Sequence, residues 1–125
     1  MEKRRINNDV LELYDSENNV VLSISIKNID EMLNIKLFGQ IITEVAHDFE
    51  DELMAGITVC KKISIDFENV THISSMGLNT LLSLQKILDE DSDSDFKIYN
   101  VNNEVFEEFK AVGFDDLFII ERLNA

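Results

Sequence analysis

The stretch Ile73-Ser74-Ser75-Met76-Gly77-Leu78 stands at the junction between a predicted strand and a predicted helix. Before it, residues 62–67 alternate polar and apolar side chains, as a half-buried strand does, and a polar loop follows through His72. After it, apolar residues recur at helical spacing, at Leu78, Leu81, Leu82, Leu84, Ile87 and Leu88. The two serines therefore lie where the first backbone N–H groups of a helix have no partner within the helix. Such a position favours a serine cap, and it equally favours a phosphate on serine.

The remaining elements follow from the same periodicities. Residues 20–27 and 32–38 alternate polar and apolar side chains, and residues 28–31 carry turn chemistry, so the two segments are predicted to form a hairpin. An apolar stripe in residues 42–54 predicts a helix with Gly56 at its C-terminal cap. A strand is predicted over residues 96–100, followed by a helix over 101–112 that Gly113 stops.

This order of elements predicts the class of fold. Strands that alternate with helices run parallel and are joined by right-handed crossovers. The strands alternate instead of being apolar throughout, so Ser64, Asp66, Lys97 and Tyr99 should face away from the core. We therefore predict a single α/β domain whose mixed β-sheet has an N-terminal antiparallel hairpin, parallel strands and helices mainly on one face. Residues 20–125 make up this domain, and residues 1–19 are an N-terminal extension in which residues 10–14 form either an extra strand or a docked arm.

Charge narrows the range of partners. The net charge of −14 excludes nucleic acid, whose phosphates would be repelled, and disfavours an anionic membrane surface. Acidic residues cluster in residues 44–52 and again in residues 89–95. These clusters either keep the surface solvated or match a basic protein partner, and composition does not separate the two.

Location and chemistry are also constrained. No apolar run reaches the length of a membrane span, and the first residues lack the apolar core of a signal peptide. The single cysteine, Cys60, fits a reducing cytoplasm and is predicted to be a small buried hydrophobe. We expect no cofactor and no metal, because no His, Cys or carboxylate cluster has ligand spacing and the four glycines are isolated. A hydrolase built on Ser75 and His72 would lack the Gly-x-Ser-x-Gly elbow, so catalysis is not expected.

Three segments resemble the STAS family, the domains of sulfate transporters and anti-sigma factor antagonists. They are Asp66-Phe67-Glu68-Asn69-Val70-Thr71-His72-Ile73-Ser74-Ser75-Met76-Gly77-Leu78, Tyr99-Asn100-Val101-Asn102-Asn103-Glu104-Val105 and Val112-Gly113-Phe114-Asp115-Asp116-Leu117-Phe118. The first is similar to the family's aspartate-bearing strand and its Asp-Ser-Ser-Gly-Leu or Ile-Ser-Ser-Ala-Gly-Leu run. The others look like its closing strand, helix and tail. The resemblance spans roughly residues 20–121.

In anti-sigma factor antagonists of this family, the first serine of the run is phosphorylated by a kinase that is also the anti-sigma factor. The resemblance places that acceptor at Ser75 and implies an anti-sigma factor and serine kinase as the protein partner. The partner would contact Thr43, His72, Ser74, Met76, Gly77 and Asn79. Gly77 would let it approach the loop closely. The chain departs from the family in having Ser74 and Ile42 where carboxylates are usual.

Two other functions stay open at this point. One is a STAS scaffold that is not phosphorylated, such as a subunit of a transport ATPase or of a sensory assembly, which the two departures favour. The other is a small-ligand sensor that uses a groove around Thr43, His72 and Ser75. The sequence makes no prediction of the oligomeric state.

Overall fold

The computed structural model describes residues 2–116 and 119–122. In chain order its elements are β1 (Glu2–Arg5), β2 (Val10–Tyr14), β3 (Val20–Ile29), β4 (Met32–Ile41), α1 (Thr43–Ile57), β5 (Lys62–Ile73), α2 (Ser75–Asp89), β6 (Asp95–Val101), α3 (Asn103–Ala111), a 3-10 turn (Phe114–Asp116) and β7 (Ile119–Arg122). The strands of this described part form one sheet in the order β1-β2-β3-β4-β5-β6-β7. β1 to β4 pair antiparallel and β4 to β7 pair parallel. The predicted mixed α/β sheet is confirmed.

One hydrophobic core joins the sheet to all three helices. Ile35, Ile65 and Ile98 are directly paired across β4, β5 and β6, and they are buried with Phe49 of α1 and Phe109 of α3. The apolar positions of the strands thus face the helices, and Lys36 and Phe38 on the alternate positions of β4 are exposed. This arrangement follows from the period of two in the strand sequences.

The far side of the sheet is less open than predicted at its centre. Lys97 and Tyr99 are partly exposed there, but Ser64 is only 9% and Asp66 only 7% exposed. Both lie on β5, which is flanked by β4 and β6 near the middle of the sheet. One carboxylate oxygen of Asp66, Oδ1, accepts hydrogen bonds from the Glu68 N–H at 2.9 Å and from Asn100 Nδ2 at 3.2 Å. These bonds offset the cost of burying a charged group.

The first residues belong to the same sheet. Of the two alternatives for residues 10–14, the structure shows the strand: β2 pairs with β3 and buries Leu11 and Leu13 in the core. β1 is tied to α1 by the ion pair of Arg5 with Glu52 at 2.7 Å. The division into an extension of residues 1–19 and a domain of residues 20–125 stays a prediction.

Several boundaries differ from the sequence prediction. β5 continues to Ile73, because β4 pairs with it as far as Ile41↔Ile73. The residues through His72 were predicted to be a loop because their side chains are polar, but their backbone pairs with β4. Gly56 lies inside α1, which ends at Ile57 with Thr58 as its cap. Cys60 is half-buried and lies just before β5, with its Sγ 3.1 Å from the Glu31 carbonyl oxygen. Leu117 and Phe118 of the predicted tail lie outside the described residues.

Candidate functional site

Ser74 caps helix α2. Its backbone is extended, with φ −79° and ψ 168°, and its Oγ accepts a hydrogen bond from the Gly77 N–H at 3.1 Å. The Ser74 N–H in turn donates to the Ile41 carbonyl at the end of β4, at 2.8 Å. The end of the sheet therefore holds the capping residue in place, and the cap satisfies one of the free N–H groups of the first turn.

Ser75 is the first residue of α2, and it is exposed. Its hydroxyl makes no hydrogen bond to any of the described residues. The first turn of α2 carries no acidic side chain. The positive end of the helix dipole beside Ser75 is thus not offset from within that turn.

Gly77 is buried, and its lack of a side chain serves the internal packing. A Cβ at this position would lie 2.7 Å from Ile41 Cγ2 and 2.8 Å from Ile73 Cγ1. The ends of β4 and β5 therefore approach the first turn of α2 as closely as they do because residue 77 is glycine. This is a different use from the predicted close approach of a partner, and a role of Gly77 in binding stays a prediction.

The other predicted contact residues lie in two adjacent depressions that share Thr43. The larger, of about 460 Å³, brings together Thr43, His72, Ser74 and Ser75 at the predicted groove. The smaller, of about 210 Å³, lies between α1 and α2 and brings Met76 and Asn79 next to Thr43. Met76 is 51% exposed, so its apolar side chain is open to the solvent beside Ser75. Except for Gly77, the residues that sequence reasoning selected thus form one continuous surface.

Sequence reasoning missed Glu108 of α3, which also lines the larger depression. Its Oε2 accepts a hydrogen bond from the Ile73 N–H at 3.2 Å, and its Oε1 lies 3.2 Å from His72 Nδ1. Glu108 is separated from these residues by more than thirty positions in sequence. The sequence signal was limited to its place on the amphipathic helix α3, next to the buried Phe109.

The two departures from the family pattern have clear structural positions. Ile42 occupies the N-cap of α1 without a side-chain hydrogen bond, and it packs against the core. Ser74 caps α2 with a neutral oxygen where a carboxylate would add charge. Neither residue supplies a negative group beside Ser75.

No helix in residues 2–116 is long and apolar enough to cross a membrane. Within the described part of the chain, no group of three or more His, Cys, Asp or Glu side chains is placed to hold a metal ion.

The STAS domain model matches residues 23–124, so the chain belongs to the STAS domain family. STAS domains are generally regulatory modules and not enzymes. A comparison with curated protein sequences gives no significant match.

Solved structures share the fold at low sequence identity. An anti-sigma factor antagonist from Mycobacterium paratuberculosis is similar with a TM-score of 0.74 and 17% identity, over 87% of this chain and 90% of that one. The Bacillus cell fate determinant SpoIIAA in its phosphorylated form has a TM-score of 0.61 and 16% identity, over 78% of this chain and 89% of that one. A sulfate transporter family protein from Wolinella succinogenes has a TM-score of 0.62 and 14% identity, over 86% of this chain and 84% of that one. Anti-sigma factor antagonists and transporter STAS domains are thus both among the structural neighbours.

Proposed function

We propose that this STAS protein is a cytoplasmic anti-sigma factor antagonist that binds a kinase-type anti-sigma factor and is switched by phosphorylation of Ser75. The observation that carries the proposal is that the two neighbouring serines have different structural positions. Ser74 caps α2, whereas Ser75 is exposed at the first helical position with its hydroxyl unengaged by the described residues. Capping and modification therefore do not compete for one side chain.

A phosphate on Ser75 is compatible with the fold. Free N–H groups and the helix dipole stabilise negative charge at the first turn, so α2 need not melt on modification. The likeness to SpoIIAA in its phosphorylated form supports this expectation. The modification adds a charge of about −1.5 to −2 to the docking surface, enough to oppose binding by repulsion and desolvation.

The surface around Ser75 has the composition of a small contact site. The exposed apolar side chain of Met76 offers area for burial, and Thr43, His72 and Asn79 supply polar groups around it. A partner seated on this surface would cover Ser75. The unmodified protein would therefore bind, and the phosphoprotein would be released.

The test is phosphorylation by the cognate kinase with ATP, followed by intact-mass and peptide analysis. We expect one phosphate on the wild type, none on Ser75→Ala, and wild-type incorporation on Ser16→Ala, a control at an exposed turn serine. Isothermal titration should then show that the kinase binds the unmodified protein and not the phosphoprotein. Equal incorporation into wild type and Ser75→Ala excludes Ser75 as the acceptor.

A second candidate is a STAS scaffold that is not phosphorylated, in a transport or sensory assembly. The observation that favours it is the absence of a carboxylate at both Ile42 and Ser74, since such groups would orient an acceptor hydroxyl or help to hold a metal. A scaffold would take up no phosphate, and Ser75→Asp would leave its complex intact. Neighbouring genes offer a quick discriminator: an anti-sigma kinase gene supports the switch, and permease genes support the scaffold.

A further inference from the structure

Strand β5 extends beyond its neighbour β6. The two strands pair only from Lys62↔Asp95 to Asp66↔Tyr99, whereas β5 continues to Ile73 with β4 on its other side. The residues of β5 after Asp66, which lead to the serines, therefore have no strand partner on the β6 side. Backbone groups left open in this way need other partners.

Helix α3 takes the place of the missing strand. Nδ2 of its N-cap residue Asn102 donates to the Val70 carbonyl at 2.8 Å, and Oδ1 of the same side chain accepts from the Val105 N–H at 2.9 Å. The rings of Phe67 and Phe109 pack with centroids 5.9 Å apart. The helix is thereby anchored to β5 at two successive levels.

Glu108 makes the third contact, next to the serines. It accepts from the Ile73 N–H and lies against His72, while the following N–H, that of Ser74, donates to Ile41 on the β4 side. The segment that leads into Ser75 is therefore held from both sides, by β4 and by α3. Among the described residues that line the depression at Ser75, His72 and Glu108 are the ionisable ones.

We propose that Glu108 is a positioning residue for Ser75: through Ile73 and His72 it fixes the entry to α2 and couples α3 to the switch. This inference rests on the proposed function where it concerns phosphorylation. Its structural part, the anchoring of residues 73–77, stands by itself. A partner or ligand that displaces α3 would then change how Ser75 is presented.

Amide hydrogen exchange tests the anchoring without any kinase. Glu108→Ala should raise the exchange rate of the Ile73 amide about tenfold. It should also raise the exchange rates of the Ser74 and Gly77 amides, because the Ser74 cap moves together with Ile73. Glu108→Gln keeps a carbonyl acceptor and should restore most of the protection. Glu107→Ala, at the adjacent exposed position of α3, is the matched control and should match the wild type.

The kinase assay tests the link to Ser75. Glu108→Ala should lower the rate of Ser75 phosphorylation about tenfold, with recovery in Glu108→Gln and no change in Glu107→Ala. A wild-type rate in Glu108→Ala, in spite of a loosened Ile73, overturns the link. Exchange that is unchanged at Ile73, or raised equally at all slow amides, overturns the anchoring. If the wild type takes up no phosphate, the proposed function fails, and the exchange comparison still decides whether Glu108 positions the segment.

Discussion

The side-chain oxygen of Ser74 accepts a hydrogen bond from the Gly77 N–H at 3.1 Å. This one contact decides which of the two neighbouring serines is the cap, a question that the sequence left open. Ser74 stabilises the start of α2, and Ser75 is left exposed to the solvent. Gly77, the donor of this bond, also lies close against Ile41 and Ile73 at the ends of β4 and β5.

Removing the cap should cost more than removing the candidate acceptor. We expect Ser74→Ala to lower the free energy of unfolding by about 1 kcal/mol, because the Gly77 N–H loses its partner. Ser75→Ala should change it by less than about 0.5 kcal/mol, as surface substitutions usually do. Urea denaturation of both variants measures the difference. A larger loss in Ser75→Ala would contradict the assignment of the cap.

Gly77→Ala should destabilise the protein although alanine is the better helix former. The added methyl group overpacks against Ile41 and Ile73, which costs about 1–3 kcal/mol. The gain in helix propensity is about 1 kcal/mol at most. Asn79→Ala, at an exposed position of the same helix, should be neutral or slightly stabilising. Thermal unfolding distinguishes them, and a Gly77→Ala protein as stable as Asn79→Ala would show that the contact relaxes freely.

Ser75→Asp should leave the fold intact. Negative charge at the first turn interacts favourably with the helix dipole, so the free energy of unfolding should stay level or rise by up to about 1 kcal/mol. Ser75→Asn has nearly the same shape and no charge, and it is the matched control. The difference between the two should shrink in high salt. Greater stability of Ser75→Asn at low salt would argue against a site that tolerates phosphate.

The Asn102 side chain should contribute through two separable contacts. Asn102→Ala loses both the cap of α3 and the donor to the Val70 carbonyl, and should lower the free energy of unfolding by about 2 kcal/mol. Asn102→Asp keeps the capping oxygen but has no N–H for Val70, so it should recover only part of the loss. Full recovery in denaturant titrations would mean that the bond to Val70 contributes little.

The turn between β2 and β3 should respond to acid. The backbone N–H of Asn19 binds the Asp15 carboxylate and, with a smaller effect from the Glu17 N–H, lowers the pKa of that carboxyl below its ordinary value. Because the folded pKa is the lower one, this contribution to stability is present above the unfolded pKa and is lost as the pH falls through the folded pKa. Asp15→Asn should therefore lose less stability than the wild type between about pH 5 and pH 3. The free energy of unfolding is measured by urea titration at each pH. An equal fall of this free energy with pH in the two proteins would contradict the linkage.

Local patterns in the sequence predicted most of the fold. Alternation in residues 20–27 and 32–38 predicted the hairpin, and helical spacing after Ser75 predicted α2, because each side of these elements meets a different environment. The continuation of β5 to Ile73 was missed, because these polar residues show no strand-like alternation. Their extended backbone is stabilised by pairing with β4. The contacts of Glu108 were missed for the same reason, since its partners lie more than thirty residues away in sequence.

The sequence by itself determined the class of fold, the family and the place of the serine run at the start of a helix, since all of these depend on short-range periodicity and motif order. Only the tertiary structure decided which serine is the cap, why residue 77 is glycine and which helix holds the segment that leads into Ser75. Those outcomes depend on how β4, β5 and α3 meet in space. The physical reason is that hydrogen bonds and close packing act between atoms that folding brings together, whatever their separation along the chain.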